Sequence, residues 1–260
     1  MIYTDPSDGA IDAVVLRALA GCYGERMVAL PPVAIVIAAY NEEGSVGPVV
    51  AALPRAVRGL GAEVIVIADG CSDATACRAR EAGAIVAEVP VNRGQGAALR
   101  LGYRIAREGG ARYIVTTDAD GQYSPLDIGS VLAPVVAGRA DFVTGSRRVG
   151  GERTADPIRK AGVRFFALLV SVLTGQRISD TTFGLRAMRA EVTADIRLEQ
   201  PQYQAAELLI GVIARGFRVL EVPATIGERT AGESKKGRDP LGGYPTWDSR
   251  PCTSYSKFTL

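Results

Sequence analysis

Asp118-Ala119-Asp120, followed by Gly121 and Gln122, is the run of this sequence with the most chemistry in it. Two carboxylates at i and i+2 on a strand end point the same way. They offer hard oxygens to a single divalent cation, and Mg2+ or Mn2+ is the expected ion. Gln122 adds a neutral oxygen. A cation there would neutralise a diphosphate and act as Lewis acid on a leaving group. The plain alternative is a pair of solvated loop carboxylates. A second polar cluster, Tyr40-Asn41-Glu42, follows the apolar run Val33 to Ala38, and a third, Asp69-Gly70, follows Ala62 to Ala68. Asp69 can accept hydrogen bonds from a nucleobase or a ribose. Its competing role is that of a turn residue, with Asp73 as a first-turn carboxylate of the next helix.

Composition removes several chemistries. His is absent from the 260 residues, so no His base, His zinc ligand or Ser-His-Asp triad is possible. Cys22, Cys71, Cys77 and Cys252 form no C-x-x-C pair, which argues against a zinc ribbon or a thioredoxin-like site and for reduced thiols in the cytoplasm. Lys plus Arg is 30 against 28 Asp plus Glu, so a globally basic nucleic-acid binder is excluded and no nucleic-acid partner is expected. Gly94-x-Gly96 is no dinucleotide fingerprint, because Leu99 stands at the third glycine position, and no P-loop occurs. The apolar run Phe165 to Leu173 is about half the ~20 residues of a spanning helix, and the N-terminus does not read as a signal peptide. The expected protein is soluble or lies on a membrane without crossing it.

The elements that must position these residues alternate. Val33–Ala38, Ala62–Ala68, Ala84–Val89, Arg112–Thr117 and Asp141–Thr144 read as strands, mostly apolar rather than alternating, as in strands buried on both faces. Helices are expected from near Gly44, from Ser72-Asp73 to Ala82, over Gly96–Arg107 and from Ser124-Pro125. The class is α/β, a single Rossmann-like domain with a mostly parallel central sheet flanked by helices. In such sheets ligands sit outside the carboxyl ends of the strands, where all three polar clusters fall. Residues 1–32 read as an N-terminal extension with a helix over Ile11–Leu19, 33–236 as the domain, and 237–260 as a loosely ordered tail. The second half is less regular, with helices over Ala161–Gly175 and Gln202–Arg215 and a strand over Phe217–Val222.

Residues 147–164 hold Arg147, Arg148, Arg153, Arg159, Lys160 and Arg164 against Glu152 and Asp156. A basic segment leading into an apolar helix suits an anionic lipid surface, at about 1 kcal/mol per basic residue. A helix packed in the protein's own core, or in a homo-oligomer interface, accounts for the same pattern.

Ala39-Tyr40-Asn41-Glu42-Glu43, Asp69-Gly70-Cys71-Ser72-Asp73-Ala74-Thr75, Asn92-Arg93-Gly94-Gln95-Gly96, Asp118 to Gln122, Gly145-Ser146-Arg147, Asp180 to Arg186, Glu221-Val222-Pro223 and Arg229 to Lys235 follow one another in order. Together they resemble a family 2 glycosyltransferase of the GT-A fold, and within it the dolichol-phosphate and polyprenyl-phosphate sugar synthases, over about residues 33–236. The resemblance implies a nucleotide-sugar donor held by Tyr40, Glu42 and Asp69, with Ala39, Asn92, Gly96, Asp118 and Ala119 beside it. It implies Mg2+ or Mn2+ on Asp118, Asp120 and Gln122. It also implies a polyprenyl phosphate met by Arg147 and Arg159, with Arg229, Ser234 and Lys235 closing over the phosphates. The catalytic set would be Asp118, Asp120, Arg147 and Asp180. Three positions depart from the family pattern: Ala68 where Asp is usual, Tyr123 where His is frequent and Gln95 where Lys is common. UDP and GDP donors both stay open. A phosphate acceptor needs no base, and a single displacement inverts the anomeric carbon. A small hydroxyl acceptor would need one, with Asp180 as first candidate and Glu207 as second. A non-catalytic nucleotide-sugar binder is the reading from outside enzymology.

Overall fold

The computed structural model describes residues 6–22, 29–146, 180, 183–194, 196, 198 and 204–227. Their elements are α1 (Pro6–Cys22), β1 (Val33–Ala39), α2 (Val46–Ala52), β2 (Ala56–Val57), β3 (Leu60–Asp69), α3 (Thr75–Glu81), β4 (Ile85–Val89), α4 (Gln95–Glu108), β5 (Tyr113–Asp118), α5 (Asp127–Val136), β6 (Phe142–Ser146), β7 (Arg186–Arg189), α6 (Gln204–Ala214) and β8 (Val219–Pro223). A short 3-10 turn, Ala190–Thr193, follows β7.

The strands form one eight-stranded sheet in the order β3-β1-β5-β7-β6-β8, with β2 and β4 both pairing β3. β4, β3, β1 and β5 are parallel. β7 runs antiparallel to both neighbours, and β8 is parallel to β6. The parallel strands carry the continuous runs read from the sequence, and Val33 to Ile37 are wholly buried. Helices cover both faces, as such runs require. One core joins α1, α4 and α6 to the sheet through Leu16, Leu101 and Leu209; the other joins α2, α3 and α5 through Val50, Ala79 and Leu132. α4 lies close on β1 because Gly102 has no side chain: a Cβ there would stand 2.4 Å from Val36 Cγ1.

The α/β expectation and its parallel strands hold. α1 is longer than Ile11–Leu19, and Val15, Leu16 and Leu19 are buried in the main core. α5 begins at Asp127, with Ser124 and Pro125 in the preceding turn, where Asp127 N–H donates to the Ser124 carbonyl. β7 has no counterpart in the sequence reading. The segments 147–179 and 228–260, with the expected helix over Ala161–Gly175 and the tail, lie outside the described residues.

Candidate active site

The carboxyl ends of β1, β3 and β5 lie side by side, because Ala39 pairs with Ala68 and Ala38 with Asp118 in the parallel register. The loop after β1 is laced to the loop after β3. Asn41, in the left-handed region at φ 51°, accepts the Ser72 amide at 2.8 Å on Oδ1. The Glu42 amide donates to Thr75 Oγ1 at 2.7 Å, and Ser45 Oγ donates to the Glu42 carboxylate at 3.0 Å. Tyr40 stands exposed beside them.

Asp69 is 3% exposed. Its Oδ2 accepts the amides of Arg93 and Gly94, each at 2.8 Å. Gly94 also donates to Asn92 Oδ1 at 3.0 Å. The residue expected to face the nucleotide thus grips the β4–α4 loop from below. Gly70 is indispensable to this fit: its φ is +69°, and a Cβ would lie 2.1 Å from the Asn92 amide nitrogen.

Asp118 ends β5, and its Oδ1 accepts Gln95 Nε2 at 3.3 Å from the first residue of α4. Asp120 is buried and accepts the Gln122 amide at 3.1 Å. Gln122 Nε2 donates to the Gly227 carbonyl at 3.2 Å. Gly96 and Ala119 are buried beside these groups.

The segment leading into β7 closes the site from the other side. Gly184 N–H donates to the Tyr123 hydroxyl and Thr116 Oγ1 donates to the Gly184 carbonyl, both at 2.8 Å. A Cβ on Gly184 would stand 2.9 Å from both Asp118 Oδ2 and Tyr123 Oη. The Tyr123 ring packs on Phe183 with centroids 4.8 Å apart. Tyr123, in the place where the family often has His, therefore holds this segment in position. Asp180 is 1% exposed, and its amide donates to Glu221 Oε1 at 2.9 Å. Glu207 sits in the first turn of α6.

Arg186 was noted only as the end of a motif. It pairs with Thr116 of β5 and Thr144 of β6, and alternation puts its side chain on the α4 face with Met188. It is buried. Burial works against its charge, and Tyr103, Tyr123, Asp118 and Asp180 support it. Tyr103, on the same face, has its phenol pushed well up by burial, against the opposing pull of Arg186. Arg93 and Tyr123 were likewise missed as structural partners. Arg147, Arg159, Arg229, Ser234 and Lys235 lie outside the described residues.

The donor set suits a hard divalent cation. Asp118 and Asp120 share one turn, and the missing side chain of Gly184 keeps space beside Asp118 Oδ2 that a Cβ would fill. Among the described residues no group of three or more acidic, Cys or His side chains converges on a metal position. Two carboxylates with phosphate and water oxygens completing the shell match the habit of Mg2+.

The chain resembles known proteins in sequence and in fold. The chain is 36% identical over 215 residues to a dolichyl-phosphate hexose transferase of Haloferax volcanii, covering 81% of this chain and 88% of that protein. It is 32% identical to an undecaprenyl-phosphate mannosyltransferase of Micrococcus luteus over 80% of this chain and 88% of the relative. A polyprenol monophosphomannose synthase of Mycolicibacterium smegmatis is also 32% identical, with 77% and 79% covered. Among solved structures, the glucosyl-3-phosphoglycerate synthase of Mycobacterium tuberculosis with phosphoglyceric acid superposes with a TM-score of 0.62 at 22% identity, covering 89% of this chain and 80% of that one. This likeness speaks to the GT-A fold. The sequence pattern of glycosyl transferase family 2 matches residues 34–197, a span that runs from β1 through the Asp118–Asp120 turn and β7, and the chain belongs to that family of glycosyltransferases.

Proposed function

We propose that this protein transfers a sugar from a UDP- or GDP-sugar to a polyprenyl or dolichyl phosphate, with inversion, using Mg2+ or Mn2+. The observation that carries the proposal is the Asp118-Ala119-Asp120 turn at the carboxyl edge of a parallel sheet, with Gly184 leaving room beside Asp118. The named relatives act, by their names, on dolichyl, undecaprenyl and polyprenyl phosphates.

In this reading Tyr40, Glu42 and the loop gripped by Asp69 hold the nucleotide, and Asn92 and Gly96 frame its phosphates. Asp118, Asp120 and Gln122 would hold the ion. Bound there, the ion neutralises the diphosphate and eases its departure. Arg147 and Arg159 meet the acceptor phosphate, and Arg229, Ser234 and Lys235 close over the phosphates. The acceptor oxygen is already anionic at neutral pH, so no side chain must remove a proton. It attacks the anomeric carbon as the bond to the diphosphate breaks and the electron pair leaves with that group. The protein contributes positioning and electrostatic stabilisation. Among the described residues no helix is long and apolar enough to cross a membrane; the basic residues 147–164 are proposed to rest on an anionic lipid surface.

The test is release of nucleoside diphosphate from UDP- and GDP-sugars, with and without a short polyprenyl phosphate and with and without Mn2+ or Mg2+. Release that needs both lipid phosphate and metal is the expected result. Metal-dependent donor binding without lipid-stimulated release would favour a hydroxyl acceptor, with buried Asp180 as the base.

A further inference from the structure

α1 lies before the family match, which begins at residue 34, yet it reaches the donor side of the site. Val15, Leu16 and Leu19 anchor it in the core that holds β4 and α4. From that seat Asp12 Oδ1 accepts a hydrogen bond from an Arg93 terminal nitrogen at 2.8 Å, with the Asp12 side chain 17% and the Arg93 side chain 6% exposed. Arg93 Nε faces Asp69 Oδ1 at 3.7 Å, beyond hydrogen-bond length. The other oxygen of Asp69 holds the Arg93 and Gly94 amides.

One guanidinium is therefore flanked by two carboxylates that do different work. A buried guanidinium draws carboxylate oxygens in a two-pronged grip. Asp12 satisfies part of that demand from the α1 side. Without its charge the guanidinium is drawn toward Asp69, where it competes with the two backbone amides for the same carboxylate. Those amides belong to the loop that opens into α4, and Gln95, the next residue, donates to Asp118. Each link between Asp12 and the Asp118 carboxylate is thus a contact in the structure.

We infer that Asp12 is a positioning residue for the donor site: it holds Arg93 so that Asp69 keeps the Asn92-Arg93-Gly94-Gln95 loop formed where the nucleoside diphosphate binds. The inference rests on the donor reading above. It assigns the N-terminal helix a part in substrate binding.

The experiment compares the full chain with D12N, D12E and R17A. UDP and GDP, each with Mn2+, are the calorimetric probes, and hydrogen exchange is followed in the peptide spanning residues 90–96. Arg17 is exposed on α1, and among the described residues its side chain bonds only along its own helix, to the Ala13 carbonyl. D12N should bind the preferred nucleotide about five- to tenfold more weakly, since part of a charged hydrogen bond is lost, and the loop should exchange faster. D12E should restore most of the affinity, and R17A should leave it unchanged. Steady-state work should show the loss in donor KM with kcat held, which a loss of folded protein would not give. If the parent binds nucleotide and D12N matches it within twofold, or if loop exchange is unchanged, the inference is overturned and Asp12 merely tethers α1. If the parent binds neither nucleotide with Mn2+, the donor reading falls and this inference falls with it.

Discussion

The two sides of β5 build their parts of the site by different means. Toward β1 and β3, strands are parallel, apolar and buried on both faces, and the rim is tied by polar side chains accepting backbone amides: Asn41 from Ser72, Glu43 from Ala74, Asp69 from Arg93 and Gly94. Toward β7 and β6 the middle strand is antiparallel, reads Arg-Ala-Met-Arg and buries a guanidinium. There the rim is set by close approach. Gly184 lies against Asp118 and Tyr123, and a Cβ on Gly145 would stand 2.4 Å from the Phe183 ring. The first side leans on side-chain acceptors, with close approach at Gly70; the second leans on close approach at Gly184 and Gly145, supported by the Tyr123 and Glu221 acceptors. Asp118 stands where the two meet, touched by Gln95 from one and by Gly184 from the other.

The largest effect should come at that junction. D118N keeps the shape and removes the charge that both sides frame. Nucleoside diphosphate release should fall by about 10²–10³-fold, the scale of losing one preorganised electrostatic group, with metal-dependent donor binding falling alongside. Unchanged turnover in D118N would end the metal-carboxylate reading.

Next come two substitutions that test the contrast directly. D69A takes the acceptor from the half-buried Arg93 amide, while the Gly94 amide keeps Asn92 Oδ1, at about 1–3 kcal/mol. With about 2–4 °C per kcal/mol for a chain of this size, a melting temperature lower by roughly 2–12 °C is expected. G184A tests the opposite device by adding one methyl group. Overpacking of this kind costs about 1–3 kcal/mol, and the methyl presses on Asp118, so activity should fall further than stability. If G184A is the more stable of the two and fully active, the second side is not sterically built.

This contrast also explains what could be read from the sequence. β1, β3 and β5 were legible because Val, Ile and Ala in unbroken runs permit little else, and Asp69 and Asp118 were legible as the polar residues that end them. β7 was not, because a four-residue strand with Arg at both ends has no periodicity that marks it as central. Arg186 is buried, and the groups that support its charge, Asp118, Asp180 and two tyrosines, come from distant parts of the chain. The partners of Asp69 escaped for the same reason: Arg93 is 24 residues away and Asp12 lies 81 residues before Arg93. The Tyr123 departure was visible, but its bond to Gly184, 61 residues on, was not. The donor and metal positions are local strand-end features, whereas the contacts that fix their geometry depend on the fold.

A smaller effect lies at the far end of the β7 side. Asp141 accepts Arg218 N–H at 2.9 Å and Nε at 3.0 Å, and Arg189 donates to it at 3.3 Å. The Arg218 side-chain bonds hold its carboxyl at about 2; burial opposes them, and the Arg218 amide and the charges of Arg218 and Arg189 add to them. A depressed carboxyl stabilises the fold above its unfolded value and ceases to do so as pH falls through the folded one. The contribution should be complete above about pH 5, shrink as pH falls toward 2 and be lost below it, on the order of 1–2 kcal/mol once screening at the half-exposed Arg218 is allowed for. Urea titrations of the parent and D141N should converge in acid and separate toward neutrality; parallel profiles would remove Asp141 as the cause.

T116V probes one of the hydrogen bonds that strengthen the sterically built side. Thr116 is buried on β5, and its hydroxyl donates to the Gly184 carbonyl at 2.8 Å. Valine keeps the branched shape and removes the donor, so the expected cost is about 0.5–1.5 kcal/mol. Gly184 keeps its amide bond to Tyr123, and the missing Cβ still sets its distance from Asp118. If close packing fixes this side, T116V loses a few degrees of melting temperature and keeps its turnover. If turnover drops tenfold at unchanged stability, the Gly184 carbonyl is held by Thr116 for catalysis. The contrast across β5 would then be one of degree, with a donated hydrogen bond placing the Asp118 neighbour on the far side just as Asp69 places the loop on the near side.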